Sequence, residues 1–215
     1  DVQAWNLYLR DSLKLMQDRL TLSAGLRYDR YDYSPKLGPT FEDDSGTVRD
    51  VSFASPTWQA GANFELAPDQ SVWLQVGRGF RAPSVGDMYA PTNTATATEA
   101  VSGNVVTVWS SVANPNLEAE KSLNTEIGYR WQTDRIKLGV SLFHDKYSNF
   151  IESAQFIQNP DTAYRNCVGT VCTITYGTTY TMPANRGEVT VKGAEFEGQW
   201  LLGDAWSLRA VYAHS

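Results

Sequence analysis

A membrane-spanning, antiparallel, all-β barrel is what this 215-residue chain predicts, on three observations. Eight stretches alternate apolar and polar residues with period two, the spacing at which side chains of a strand share a face. They are joined in turn by a very short polar connection and a long one, as the periplasmic turns and outer loops of a transmembrane barrel are. Each stretch is about ten residues long, matching the ~9–11 residues that a tilted strand needs to cross the hydrocarbon layer.

In chain order, Trp5, Leu7, Leu9, Leu13 and Leu15 share one parity against Asn6, Tyr8, Arg10, Ser12 and Lys14, and only Asp11 breaks the pattern. After a turn at 16–19, Leu20, Leu22, Ala24, Leu26 and Tyr28 oppose Thr21, Ser23, Arg27 and Asp29. The third strand sets Trp58, Ala60, Ala62, Phe64 and Leu66 on one face. Beyond a turn at 67–70 the fourth sets Val72, Leu74 and Val76 there. Leu123, Thr125, Ile127, Tyr129 and Trp131 make the fifth, and past a turn at 132–134 Ile136, Leu138, Val140 and Leu142 make the sixth. In the seventh, Val189 and Val191 give way to Ala194, Phe196, Gly198 and Trp200; this slip of parity beside Gly193 predicts a β-bulge. The eighth follows a turn at 201–204 with Trp206, Leu208, Ala210 and Tyr212. Trp73, Trp131, Trp200 and Trp206 all lie within a few residues of the short turns and are expected to form the periplasmic aromatic girdle.

The mean hydropathy of −0.37 and 20% charged residues resemble a soluble protein. Alternation averages the two faces of a barrel strand to the same result, so neither value opposes the barrel. No run of 18 or more apolar residues exists to make a transmembrane helix. A soluble β-sandwich also alternates, but it does not require tryptophans at one set of turns or strict alternation of short and long connections. The net charge of −6 provides no basic footprint for nucleic acid. The two histidines, His144 and His214, are not placed by spacing beside a nucleophile and a carboxylate, so no enzyme is expected. The start of the chain directly before a strand, and its end within one, suggest an excerpt of a larger barrel. A self-contained eight-stranded barrel serving as adhesin or anchor is the alternative.

Long outer loops are expected at about 34–54, 81–117 and 149–184. Cys167 and Cys172, in the last of these, can close a small ring in an oxidising exterior, contributing roughly 2 kcal/mol in the chain-entropy model. The ring is either a clamp that shapes a ligand-contacting loop or a loop staple. The middle loop is reached through Gly77-Arg78-Gly79-Phe80-Arg81-Ala82-Pro83-Ser84 and left through Asn114-Pro115-Asn116-Leu117-Glu118-Ala119-Glu120-Lys121-Ser122. Pro83, with no donor for the ladder, ends the fourth strand, and Asn114-Pro115 is a turn pair that launches the fifth.

In these two strings the chain resembles the TonB-dependent outer-membrane receptors, most of all their haem and haemoglobin receptors. In that group a Phe-Arg-Ala-Pro box and an Asn-Pro-Asn-Leu box flank a ligand-contacting outer loop. Both stand here unaltered, as Phe80, Arg81, Ala82, Pro83 and as Asn114, Pro115, Asn116, Leu117. The strings at 147–152, 185–187 and 192–198 resemble the same family. The resemblance implies a barrel of about 22 strands, plugged by an N-terminal domain. It also implies residence in the bacterial outer membrane among its lipids, energy coupling through the TonB complex by way of a plug not in these residues, and uptake of an iron compound. That cargo is haem, including haem carried by haemoglobin, or in the alternative a ferric siderophore; no intrinsic cofactor is implied. The polar faces, with Arg10, Lys14, Arg27, Asn63, Glu65, Glu126, Arg130, Lys137, Glu195 and Glu197, would then line the plug.

Haem receptors of this kind commonly carry an iron-ligating histidine between the boxes, and none stands between Arg81 and Asn114. In that loop Tyr89 can supply a phenolate to ferric haem and Met88 a thioether; the other reading of Tyr89 is an aromatic that packs the loop base. Tyr164, Tyr176 and Tyr180, with Arg165 and Arg186, suit stacking and charge contacts to an anionic chelate, or equally a protein surface such as haemoglobin.

Overall fold

The computed structural model of the chain describes residues 1–36, 48–89, 93–203 and 205–215. Its strands are β1 (Val2–Leu15), β2 (Leu20–Tyr33), β3 (Val51–Ala67), β4 (Gln70–Arg81), β5 (Asn93–Glu99), β6 (Val105–Ser111), β7 (Glu120–Gln132), β8 (Ile136–Val168), β9 (Val171–Leu201) and β10 (Ser207–His214), with one short helix, α1 (Val85–Tyr89). Eight strands form an antiparallel wall in the order β1-β2-β3-β4-β7-β8-β9-β10. β5 and β6 form a hairpin laid against the far reaches of β8 and β9. Among the described residues β1 pairs only with β2 and β10 only with β9. The wall is therefore open, with both edges ready for further strands. This corrects the alternative of an eight-stranded barrel closed on itself to a stretch of a larger barrel's wall.

Period two carries across the whole wall because the strands are in register. One row reads Leu13, Leu22, Ala62, Leu74, Ile127, Leu142, Ala194 and His214 from β1 to β10. The next row reads Lys14, Thr21, Asn63, Trp73, Gly128, Ser141, Glu195 and Ala213. One face is thus apolar and the other polar, as a barrel needs outside and inside. The polar face carries a hollow of about 610 Å³ lined among others by Gln59, Gln75, Asn124, Glu126 and Glu195. Arg27 and Asp29 pair on it at 2.7 Å.

Side chains and backbone stitch the short turns to their neighbours. The Arg19 guanidinium donates to the carbonyls of Glu65 and Leu66 and lies 5.3 Å from the Phe64 ring centroid. Trp131 Nε1 donates to Asp69 Oδ2 at 2.7 Å, and the Gln132 amide to the Asp69 carbonyl at 2.8 Å. In the 201–204 turn, Asp204 lies outside the described residues, while the Leu202 amide donates to the Trp206 carbonyl at 2.8 Å.

Trp73 does not belong to the girdle. It alternates with Val72 and Leu74, so it faces inward, where the Arg130 guanidinium sits 5.1 Å from its ring centroid. Closeness to a turn sets the depth of a residue, but parity sets its side. Trp131 and Trp200 do stand on the apolar face.

Nor is there a bulge at Lys192-Gly193: β8 and β9 stay in one register there, Phe143 opposite Gly193 and His144 opposite Lys192. The parity slip has another origin. Beyond Leu142 and Ala194 the outward positions become His144, Lys146, Thr190 and Lys192, while Val189 and Val191 point inward. The outward face turns polar where it no longer meets hydrocarbon, so the slip marks a change of environment and not of backbone. The wall's ladder shifts instead beside Leu66, between Glu65 and Ala67.

The outer connections hold more strand than their length suggests. Residues 149–184 continue β8 and β9 as one extended hairpin, whose register shifts between Gln158 and Ala163 and then runs to Val168 opposite Val171. Its threonine-rich, β-branched arms favour extended backbone. Residues 81–117 contain α1, β5 and β6. Of 34–54, residues 37–47 lie outside the described residues and 51–54 open β3.

Candidate ligand-capture site at the outer mouth

The buried hydrophobic cluster of the described structure lies at the outer rim, on the inner side. Tyr33, Met88, Tyr89 and Leu117 form it, flanked by Phe53, Ala82 and Ile151. The Phe-Arg-Ala-Pro box builds one side. Pro83 leaves the ladder and is fully buried, and its carbonyl accepts the Tyr33 hydroxyl at 3.1 Å. Ser84 then starts α1: its Oγ accepts the Asp87 amide at 3.1 Å and donates to Asp87 Oδ2 at 2.6 Å. This reciprocal cap holds a single turn that would be marginal alone. The turn drives Met88 and Tyr89 into the cluster.

The Asn-Pro-Asn-Leu box closes the other side. The Asn114 amide donates to the Asp87 carbonyl at 2.8 Å, its Nδ2 to the Pro183 carbonyl at 2.9 Å, and its Oδ1 accepts the Asn116 amide at 3.0 Å. That last bond is an Asx turn, the reason asparagine suits the position. Arg49 donates to Asn116 Oδ1 at 2.7 Å, and Leu117 is buried.

The residues that follow bind the knot to β8 and β9. Asn185 Oδ1 accepts the Glu118 amide at 2.8 Å, while its Nδ2 donates to the carbonyls of Glu118 at 2.9 Å and Asn149 at 2.7 Å. Asn149, with a left-handed φ of 57°, donates to Glu118 Oε2 at 2.7 Å. Glu120 is buried; its Oε2 meets Arg81 Nη1 at 3.0 Å and its Oε1 accepts the Ile151 amide at 2.7 Å. The two boxes therefore lock six segments of chain together at the mouth, those around Tyr33, Arg49, Pro83, Asn116, Asn149 and Asn185.

The expected contact residues separate into two sets. Pro83, Tyr89, Pro115 and Leu117 are buried in the knot, and Ala82 and Asn114 are partly so. Phe80 is half-buried, its ring centroid 6.2 Å from that of Tyr31, and Arg81 is engaged by Glu120. Tyr89 donates its hydroxyl to the Arg49 carbonyl at 3.0 Å. Burial, with the Asp50 carboxylate adding and Arg49 opposing, pushes its phenol above the usual tyrosine range. Tyr89 is packed into the loop base in this structure, within the cluster of Tyr33, Met88 and Leu117. Met88 is 1% exposed and offers no thioether to an external ligand.

In the β8–β9 hairpin Tyr176 and Arg165 are exposed, but Tyr164 is buried and Arg186 is engaged by Glu152. The aromatic and cationic contacts expected there for an anionic chelate are thus not presented as a set. Cys167 and Cys172 are bonded across the hairpin tip, directly opposite each other.

Glu118, Glu120, Asn149 and Asn185 carry the knot, yet no individual role for them follows from the sequence. They stood inside strings noticed for their family likeness. The signal was present, but which chain segments they join depends on register and could not be read locally.

Residues 1–214 match the family model described as TonB dependent receptor-like, beta-barrel. The chain is 23% identical over 234 residues to the hemoglobin and hemoglobin-haptoglobin-binding protein of Haemophilus ducreyi, covering 93% of this chain and 22% of that protein. It is 24% identical over 151 residues to the ferric enterobactin receptor of Pseudomonas aeruginosa, covering 69% of this chain and 17% of that one. In fold it is similar to the Serratia marcescens hemophore receptor HasR, solved with its hemophore HasA and heme, with a TM-score of 0.68 at 18% identity, over 99% of this chain and 34% of that one. It is similar also to the Pseudomonas aeruginosa enterobactin receptor PfeA, with a TM-score of 0.66 at 19% identity, over 100% and 27%. The chain thus spans about a fifth of the length of the curated relatives it matches. A wall apolar outside and polar inside, short turns at one end and a knotted mouth at the other, matched from end to end, place the chain in the TonB-dependent receptor β-barrel family.

Proposed function

We propose that the protein is an outer-membrane receptor that captures an iron compound at its outer mouth and passes it to the periplasm, energised through the TonB complex by way of a plug inside the barrel. The cargo in this reading is haem, free or borne by haemoglobin. One observation carries it: the family match spans the whole chain, and its relatives include a hemoglobin and hemoglobin-haptoglobin-binding protein and a hemophore receptor solved with heme. The protein supplies binding and a path, and the polar inner face suits a solvated contact with the plug. A ferric siderophore is the second reading, favoured by the likeness to enterobactin receptors.

Because Tyr89 and Met88 are committed to the knot, the haem iron is held in this reading by ligands outside the 81–117 loop. A visible-absorption titration of the detergent-folded receptor with haemin tests the reading. The expected result is a saturable Soret shift that Tyr89→Phe leaves unchanged. A shift altered by Tyr89→Phe would restore Tyr89 as ligand. No shift, together with tight binding of ferric enterobactin, would replace haem with the siderophore.

A further inference from the structure

On four adjacent strands the apolar band of the outward face ends on a cation. Outward positions run Val72, Leu74 and Val76 on β4 and then Arg78, and from Trp131 to Leu123 on β7 and then Lys121. On β8 they run from Ile136 to Leu142 and then reach His144 and Lys146, and on β9 from Trp200 to Ala194 and then Lys192. Register makes these residues neighbours. Arg78 and Lys146 both stand opposite Leu123, Lys121 stands opposite Ser148, and Lys192 stands opposite His144. Arg78 and Lys121, Lys121 and Lys146, and Lys146 and Lys192 are therefore diagonal pairs, about 7–8 Å apart. All four cations and His144 are exposed.

Nothing in the described structure neutralises them. Among the described residues no hydrogen bond or ion pair engages the side chains of Arg78, Lys121, Lys146 or Lys192. In these rows the outward face sets one carboxylate against them, Glu188, opposite Ser148. Cations elsewhere near the mouth are paired: Arg30 with Asp32 at 2.9 Å, Lys36 with Asp1 at 2.6 Å, Arg81 with Glu120 and Arg186 with Glu152. Like charges this close repel one another unless an anion lies among them. Their position selects the kind of anion. On the periplasmic side of the cluster the same four strand faces are apolar and meet hydrocarbon, and long basic side chains lay their stems along such a surface and hold their charge at its polar boundary. An amphiphile with acyl chains on the band and phosphate at its edge matches both halves of this surface, whereas a soluble anion matches only the cations.

We infer that Arg78, Lys121, Lys146 and Lys192, with His144, form a site on the lipid-facing side of the wall for the phosphates of an outer-leaflet lipid, the phosphorylated and multiply acylated glycolipid of the bacterial outer membrane. This rests on the outer-membrane receptor reading above and adds a lipid ligand to it. Lysine meets phosphate as a point charge and arginine as a bidentate fork. Four strands spaced ~4.8 Å apart spread the cations over roughly 14 Å, room for two phosphates of one headgroup. Lys121 follows Glu120 in the chain, and Glu120 holds the knot from the inner side through Arg81 and the Ile151 amide. A lipid bound here therefore ties β4, β7, β8 and β9 together behind the capture site.

The test titrates the intact receptor in non-ionic detergent with bisphosphorylated lipid A, with its dephosphorylated form and with phosphatidylglycerol, counting bound lipid by native mass spectrometry. Lys146→Ser with Lys192→Ser, and Arg78→Ser with Lys121→Ser, change only exposed side chains. Arg135→Ser, in the short turn at the other end of the wall, is the control. The expected result is saturable binding of lipid A that excess inorganic phosphate does not displace, weakened about tenfold or more in each double variant and unchanged in Arg135→Ser. A wild-type circular dichroism spectrum reports that the variants fold. Equal binding of the dephosphorylated form would overturn the proposal by showing that acyl chains alone are held. Phosphatidylglycerol bound as tightly as lipid A, or lipid A affinity that survives both double variants, would overturn it as well. These titrations contain no iron compound, so loss of haemin binding counts against the haem reading alone, and a receptor that binds haemin but not lipid A sinks this inference alone.

Discussion

Arg81 and Glu120 face each other across the β4–β7 ladder, with Arg81 Nη1 3.0 Å from Glu120 Oε2, and the two are unequal partners. The Glu120 side chain is 8% exposed and that of Arg81 61%. Glu120 also accepts the Ile151 amide, so it joins three strands, while Arg81 makes one surface-screened contact. Arg81→Ala should therefore cost at most about 1 kcal/mol. Glu120→Ala leaves the Ile151 amide without its partner and should cost about 2–3 kcal/mol. Urea unfolding of the receptor in lipid vesicles measures both. Equal costs would contradict the hierarchy.

Asn185 makes three hydrogen bonds with backbone, at 2.8, 2.9 and 2.7 Å. Asn185→Asp keeps the acceptor but sets a carboxylate against two carbonyl oxygens, so it should destabilise the knot more than Asn185→Ala, itself costing about 1–3 kcal/mol. Hydrogen exchange at the Glu118 amide is the local readout. Faster exchange there, with the wall amides of β2 and β3 unchanged, is the expected pattern.

The raised pKa of Tyr89 makes the loop base alkali-sensitive. A phenol whose folded-state pKa lies above its unfolded value of about 10 stabilises the fold fully below that pH. The contribution is lost as pH rises from there through the folded pKa. Ultraviolet titration at the phenolate band should show late-ionising tyrosines, Tyr89 and the neighbouring Tyr33, with one fewer in Tyr89→Phe, and outer-loop proteolysis increasing at alkaline pH.

Gly128 lies under the Trp73 ring, where an added Cβ would fall 2.1 Å from Cζ2. Gly128→Ala must push the ring off the Arg130 guanidinium, at a cost of about 1–3 kcal/mol. Adding Trp73→Ala should recover much of the loss, because the clash is the shared cause. A double variant no better than the sum of its singles would mean that the wall, and not the ring, resists the Cβ.

Much of the wall could be read in advance because period two is a local property. Leu20, Leu22, Ala24 and Leu26 share a face by spacing alone, whatever the neighbouring strand. The misreadings came where a local signal has two causes. The parity slip at 191–194 looked like a bulge, but register shows the outward face leaving hydrocarbon. Trp73 has a girdle residue's distance from the turn and an inner residue's parity. The strand content of 149–184 was missed because its threonines and prolines also suit a loop.

The boxes show the same division from the other side. Their letters identified the family, yet Tyr89, Pro83 and Leu117 turned out to be packed and not presented. A string cannot say whether it touches ligand or neighbour, since burial is a property of all the chain around it. The eight strands of the wall, its two faces and the short-turn ends followed from the sequence alone, because backbone geometry imposes them residue by residue, whereas the β5–β6 hairpin did not. What joins Glu118 to Asn185, Arg81 to Glu120, and the two outer hairpin tips to each other was decided by the tertiary structure. Those contacts span 67, 39 and about 60 residues of chain, and only the completed register brings such partners together.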